Sequence, residues 1–438
     1  MPVSPNARVR YKGMEMTRNF LIALSLASVL LISNSAFADA PPKTFGLADL
    51  YRMTVDGAET VRAKVEEHTQ VQETKNQGTG ALLPTITGIG TYYRAGQPSV
   101  VGSGYTGDTQ KTAKLTGTEH LFHGGSEYAY LDETNRLLEG KQAEVYGARI
   151  QYFIDLSNAY YNVLLNQALL AHAKKELELY ENQIGELRTW VRIGKSRSSD
   201  LLTVQAAHAG SLARLQVALS AVDQAKLALV DVSNLPVTYD LQAATAAMPP
   251  LDSLEHYLQA ASNHPDLIAQ RKRRDASESA ISYQRGFHLP DLDLNGNYYL
   301  EKQGYTNDSK WDATLTLTIP IFAGGATQSL VRQAASVYRE NEVSTGLLER
   351  KYEIQIRTLH QTLTMAVAEL QAFSEAVDLA RKSYDAVHRD YQLGRVTNFD
   401  LINSMQTLTA AERSYDQSRY QHLLERARLD AGAGRLPN

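Results

Sequence analysis

The sequence predicts a mainly α-helical fold of two structural repeats, with long antiparallel coiled-coil helices and a transmembrane β-barrel assembled from strands of several chains. Three observations predict it. The chain is written twice, each copy carries a long seam (the two together apolar at all but one position), and each copy holds two short segments of apolar-polar alternation.

The doubling comes first. Leu82-Leu83-Pro84, followed by Thr91-Tyr92-Tyr93, returns as His288-Leu289-Pro290 followed by Asn297-Tyr298-Tyr299. Leu121-Phe122-His123-Gly124-Gly125 returns as Ile321-Phe322-Ala323-Gly324-Gly325, and Ile193-Gly194-Lys195 with Asp200-Leu201-Leu202 returns as Leu393-Gly394-Arg395 with Asp400-Leu401-Ile402. Each half reads helix, two strands, long helix, tight turn, helix. The proline-bearing stretch from Asn234 to Pro250 separates them. Residues 39–235 form the first repeat, 236–250 the linker and 251–438 the second.

The seam fixes the long helices. Tyr352, Ile356, Leu359, Leu363, Ala366, Leu370, Phe373, Val377, Ala380, Tyr384, Val387 and Tyr391 follow a 4,3 spacing without a break. Two hundred residues earlier the same seam runs from Tyr152 through Leu156 and Tyr180 to Val191, with Asn166 as its one polar member. A sustained 3.5-residue period means helices that wind around neighbours, since an ordinary amphipathic helix drifts off such a seam. Asn166 fits either a register-setting role or a lumen-facing one. From Gly125 to Ile193 and from Gly325 to Leu393 each helix has room for about 69 residues, roughly 100 Å at 1.5 Å per residue. The helical stretches near 47–80, 200–233, 251–286 and 400–432 are about half as long, so two of them end to end match one long helix.

The strands are expected at about 85–96 and 110–122 in the first half, and at about 290–303 and 309–322 in the second. Leu292, Leu294, Gly296, Tyr298 and Leu300 alternate with polar neighbours, as do Trp311, Ala313, Leu315, Leu317 and Ile319. Ala113, Leu115 and Gly117 do the same, while Thr85 to Arg94 is mixed. Such alternation suits a membrane-spanning barrel strand or a soluble hairpin packed on one side. Four strands cannot close a spanning barrel, and an open sheet leaves unpaired edges in lipid. The protein is therefore expected to be an obligate oligomer. Linking loops at Gly96 to Gly107 and Gly304 to Ser309 would face the exterior.

The remaining composition narrows the function. Phe20 to Ile32 is an apolar run of about 13 residues, preceded by Arg18 and followed by Ala36-Phe37-Ala38, the pattern of a secretory signal peptide spanning residues 1–38. Met16 stands where such a signal begins, so residues 1–15 read as an over-extended start. The segment carries Arg8, Arg10, Lys12 and Arg18 against Glu15, so its loss takes the formal charge from −4 to −7. An acidic exported chain is a poor nucleic-acid partner. The absence of cysteine excludes disulfides, thiolate catalysis and an N-terminal lipidated cysteine. No GxSxG, HExxH or P-loop occurs, and Gly124-Gly125 and Gly324-Gly325 read as strand-to-helix corners. His120 and His123 with Glu119 form the one local cluster resembling a metal site. The second half has Ile319, Pro320 and Ala323 in their places, so no paired site, cofactor or enzymatic activity is expected.

The doubled plan, the Leu-Leu-Pro strand entries, the Leu-Phe-His-Gly-Gly corner and the glycine turns with their following Asp resemble the TolC-like outer membrane efflux and secretion proteins, over nearly all of residues 47–435. The resemblance implies a homotrimer with a 12-stranded barrel in outer membrane lipid, a large periplasmic helical tunnel, and an equatorial belt around the linker and C-terminal stretch. It implies partners, namely a periplasmic adaptor protein and an inner-membrane pump of RND, ABC or MFS type, and a cargo of drugs, toxic small molecules or unfolded proteins. Adaptor contacts fall on the turns, at Gly194, Lys195 and Ser196 and at Gly394, Arg395 and Thr397. A periplasmic gate falls on Asp400, Asn403, Tyr391 and Asp200. By that resemblance Asp400 lines the narrowest point, and Tyr391 bonds to the neighbouring coil at Asp200. Two departures stand out: the second acidic gate position is Asn403, and the gate arginine position is Val396, leaving Arg395 as the available cation. A carboxylate at a helix start is also favoured as a cap, so Asp200 and Asp400 fit both roles. The alternative reading is a periplasmic coiled-coil adaptor or scaffold without a pore. Adaptors carry one helical hairpin flanked by all-β domains, whereas this chain carries two hairpins. Cargo, pump and adaptor stay open at this level.

Overall fold

The computed structural model describes residues 44–94, 109–236, 240–242, 250–303 and 309–437. The expected signal peptide, both long strand-linking loops (apart from Ser309) and most of the linker lie outside the described residues. One unit, Phe45–Val237 with Leu241–Asn438, contains every helix and strand below.

The order is α1 (Leu47–Thr54), α2 (Glu59–Gly80), β1 (Thr85–Arg94), β2 (Thr109–His123), α3 (Ser126–Arg192), α4 (Ser198–Ser233), α5 (Leu254–Ala261), α6 (Pro265–Gly286), β3 (Asp291–Gln303), β4 (Trp311–Thr318), α7 (Ala326–Gln392) and α8 (Asn398–Gly432). The two long helices have 67 residues each, roughly 100 Å of helix. The stretches expected as single helices over 47–80 and 251–286 are each broken in two. In the second, Pro265 opens α6 at its first turn and His264 caps it, accepting from the Asp266 amide at 3.2 Å. Proline is welcome at that position because its missing N–H has no helical partner to lose.

Every residue of both seams is buried or half-buried, Asn166 included. Asn166 turns its amide back to the Asn162 carbonyl, a bond within its own helix. Near the sheet, α3 packs between α2 and α6, and α6 in turn packs on α7. Towards the turns, α4 and α8 take those places. Paired charges mark the exchange: Lys141 of α3 meets Glu67 of α2 at 2.8 Å, while further along α3 Glu176 meets Arg413 of α8 at 2.6 Å. The C-terminal end of α8 is anchored at mid-length of α7, where Leu429 and Ala433 join Tyr257 and Ala261 of α5 against Ile356 and Leu363. Arg435 adds an ion pair to Asp252 at 2.8 Å.

The four strands form one antiparallel sheet in the order β1-β2-β3-β4. Its register sorts the two faces. Leu115 lies opposite Gly88 and Tyr298, Gly117 opposite Ile86 and Gly296, and Leu294 opposite Leu315. This also resolves the mixed first strand, because Ile86, Gly88 and Gly90 share the face of Leu115. The other face is a polar ladder: Thr118 donates to Asn295 at 2.9 Å, Thr116 to Asn297 at 2.8 Å, and Asn297 to Asp312 at 2.7 Å. Ile86, Trp311, Leu315 and Leu317 are at least 60% exposed, and β1 and β4 end the sheet with free edges. Among the described residues no helix is long and apolar enough to cross a membrane.

Candidate functional site

The two helical hairpins end side by side. Each long helix stops at a glycine in the left-handed region, Gly194 and Gly394, both at φ 71°. A residue with a Cβ is strained there, and the conformation lets the next amide turn back onto the helix end. Lys195 donates to the Trp190 carbonyl at 2.8 Å and Arg395 to that of Asp390 at 2.9 Å. The following helices begin with acidic caps. Asp200 accepts from the Ser196 hydroxyl at 3.1 Å and the Arg197 amide at 3.4 Å. Asp400 accepts from the Thr397 amide at 2.8 Å and hydroxyl at 2.6 Å. Those bonds from Thr397 hold the Asp400 carboxyl below the usual carboxylate range. Asp400 and Asn403 are both exposed on one face of α8, three residues apart.

Between the hairpins lies an apolar plug of Tyr180, Ile184, Leu187, Val204, Tyr391, Leu401, Ile402 and Met405. Tyr391 is buried there, with its ring 5.1 Å from Trp190. Its hydroxyl has no hydrogen-bond partner, and burial, then the charge of Asp200, pushes its pKa up to about 12. The bond to Asp200 that the resemblance implies is not made in this structure. Val396 packs on the plug, and Arg395 pairs with Asp390 of its own turn at 3.4 Å.

Two polar links join the hairpins instead, and the sequence reading did not assign them. Lys195 lies over the Trp190 ring, 4.3 Å from its centre, and donates to the Gln392 carbonyl at 3.4 Å. Asn398, buried at the start of α8, accepts from Gln183 of α3 at 2.5 Å and donates to the Asp200 carbonyl at 3.3 Å. The available signal was slight: an Asn at position 398 where the first repeat has Ser198.

Further from the turns, two buried carboxylates hold α8 in place. Glu412 accepts from Lys175 at 2.9 Å and Arg381 at 2.8 Å, and Glu176 accepts from Arg214 at 2.5 Å and Arg413 at 2.6 Å. His172 bonds Asp416 at 2.7 Å. Its bonds to Asp416 and Glu412 raise its pKa to about 9, and the bond from His172, ahead of those from Lys175 and Arg381, lowers that of Glu412 to about 2. No constellation here combines a nucleophile with a base. What the geometry offers is two hairpin tips packed on one apolar cluster and tied by two polar links.

The outer membrane efflux protein family matches residues 51–234 and 257–435. The chain is 24% identical over 442 residues to the alkaline protease secretion protein AprF of Pseudomonas aeruginosa, covering 96% of this chain and 89% of that protein. It is 23% identical over 337 residues to outer membrane protein TolC of Vibrio cholerae, covering 71% and 74%. Among solved structures, the outer membrane protein VceC of Vibrio cholerae superimposes with a TM-score of 0.78 at 15% identity, over 89% of this chain and 96% of that one. The CmeC outer membrane channel of Campylobacter jejuni gives 0.79, also at 15%, over 89% and 85%. The doubled hairpins, the open four-stranded sheet and the family match over both repeats lead to one conclusion: this chain belongs to the outer membrane efflux protein family, and is a non-enzymatic export channel of a Gram-negative outer membrane.

Proposed function

We propose that three copies of this chain form one duct, with a 12-stranded barrel in the outer membrane and a helical tunnel in the periplasm. The observation that carries this reading is the open sheet. A single chain presents an exposed apolar face and two unpaired strand edges, and lipid tolerates neither edge. The helices repeat the pattern. Val343, Ile354, Met365 and Val367 on α7, and Leu202, Val217 and Leu227 on α4, are at least 60% exposed. Apolar surface of that extent on a soluble helix is normally covered by a partner. Mass measurement of the detergent-extracted protein should give three chains per particle, recovered with outer membranes. A folded single-chain species that never partitions with membranes would overturn the proposal.

The hairpin tips form the periplasmic gate in this reading. Asp400 and Asn403 face the lumen, and Tyr391 and Asp200 belong to the packing that sets its width. The turns at Gly194, Lys195, Ser196, Gly394, Arg395 and Thr397 receive a periplasmic adaptor, which couples the duct to an inner-membrane pump. A tunnel transmits what its pump delivers, so cargo choice resides in the partner. Similarity over nearly the whole chain to AprF and to PrtF of Dickeya chrysanthemi, both named for protease secretion, supports secreted protein as one cargo class. Deleting the gene and measuring the secreted protein profile beside drug susceptibility separates that class from small-molecule efflux.

A further inference from the structure

We propose that His120 and His123 form a binding site for a divalent transition metal on the polar face of the sheet, where the strands meet the helices. Three residues apart on a regular strand, the two rings would point to opposite faces. A register shift in β2 between His120 and Phe122 removes that conflict. Bulges of this kind re-aim side chains. The result is that both rings lie over β3, their centres 6.2 Å apart.

Each imidazole then meets its own carboxylate. His120 Nδ1 lies 2.6 Å from Asp293 Oδ1, and His123 Nδ1 lies 3.2 Å from Asp291 Oδ1. An acceptor at Nδ1 holds the proton there and leaves the Nε2 lone pair free, which is the arrangement found behind metal-bound histidines. No described residue hydrogen-bonds either Nε2. Both histidines line one cavity of about 300 Å³, together with Glu127, Tyr130, Tyr283 and Phe287. With metal–nitrogen bonds of about 2.0–2.1 Å, the 6.2 Å between ring centres suits one ion at a wide N–metal–N angle, and a tetrahedral zinc would draw the rings closer. Among the described residues no group of three or more His, Asp or Glu is disposed to hold a metal ion. The site is therefore a two-nitrogen chelate completed by water, with Glu127 also on the cavity wall. Imidazole pairs of this kind suit Cu²⁺, Ni²⁺ and Zn²⁺ over Mg²⁺ or Ca²⁺.

The repeat comparison hides this site, because its second half comes from β3 and not from the equivalent of β2. The inference stands apart from the gate and from the number of chains in the duct. Its test uses tag-free full-length protein in detergent, titrated with Cu²⁺ and followed by electron paramagnetic resonance. The expected result is one tight ion per chain with coupling to two imidazole nitrogens, displaced by Zn²⁺. Asp293→Asn keeps both ligands and should weaken binding about 10–100-fold by loosening His120. Asp312→Asn, on the same polar face but outside the pair, should leave affinity within twofold. A wild-type spectrum without two-nitrogen coupling would overturn the proposal by itself. So would unchanged affinity in Asp293→Asn, or in His120→Gln with His123→Gln, either of which marks the copper as adventitious.

Discussion

The Lys195 ammonium donates to the carbonyl oxygen of Gln392, so the turn of the first hairpin holds the last residue of α7. The same ammonium covers Trp190, which packs on Tyr391. A cation at a helix C-terminus is favoured there by the helix dipole, so the contact stabilises the tip as well as joining it. Replacing Lys195 with Met removes the bond and keeps much of the packing. We expect a rise in open probability in planar bilayers of roughly fivefold or less, the effect of one partly solvated hydrogen bond. An unchanged opening rate removes Lys195 from the lock.

Asn398→Leu should act more strongly. The change leaves the buried Gln183 amide and the Asp200 carbonyl without their partner. An unsatisfied buried group costs about 1–3 kcal/mol. Larger mean conductance together with a lower melting temperature is expected. Asn398→Asp, which keeps the acceptor for Gln183, should lose less.

Tyr391→Phe separates packing from hydrogen bonding. The hydroxyl is buried without a partner, so its removal should leave conductance unchanged and stabilise the fold by about 1 kcal/mol or less. Tyr391→Ala opens a hole in the plug and should cost about 3–5 kcal/mol. Opening of the channel by the Phe variant would show that the hydroxyl acts as a bond after all.

In the proposed trimer Asp400→Ala should reduce cation selectivity and block by multivalent cations, because three symmetry-related carboxylates would attract cations into a narrow aqueous constriction. The Thr397 bonds depress the folded-state pKa of Asp400. The charge is thus present throughout neutral and mildly acidic conditions, and selectivity should fade only as pH drops through that lowered value. Thr397→Val should move the loss of selectivity to higher pH.

The charge cluster between α3 and α8 sets a pH window for stability. His172 rises from 6.5 to about 9 on folding, so its contribution is complete below 6.5 and disappears as pH climbs through about 9. Glu412 falls from 4.5 to about 2, so its contribution is complete above 4.5 and disappears as pH drops through about 2. Thermal melts of the detergent-extracted protein should therefore be flattest between 4.5 and 6.5 with respect to these two groups. His172→Gln should flatten the alkaline limb and also weaken the acidic one, because the bond from His172 is the largest cause of the lowered Glu412 value.

The sequence by itself determined the doubled plan, both long helices and the sheet's membership, because these rest on local periodicity and on an offset that anyone can count. The ends of the long helices fall where Gly125 and Gly194, and their repeats Gly325 and Gly394, permit a left-handed residue. The caps at Asp200 and Asp400 were legible for the same reason, as short-range chemistry between neighbours. Only the tertiary structure decided which residues join the hairpins. Lys195 reaches Gln392, and Asn398 reaches Gln183, across separations of about two hundred residues that no period encodes. It also decided that the Tyr391 ring packs among the apolar residues between the hairpins while its hydroxyl stands alone. The bulge that turns His123 to the face of His120, and the carboxylates of β3 that receive both, likewise belong to strand register. Register is a property of two paired segments, and neither segment carries it alone.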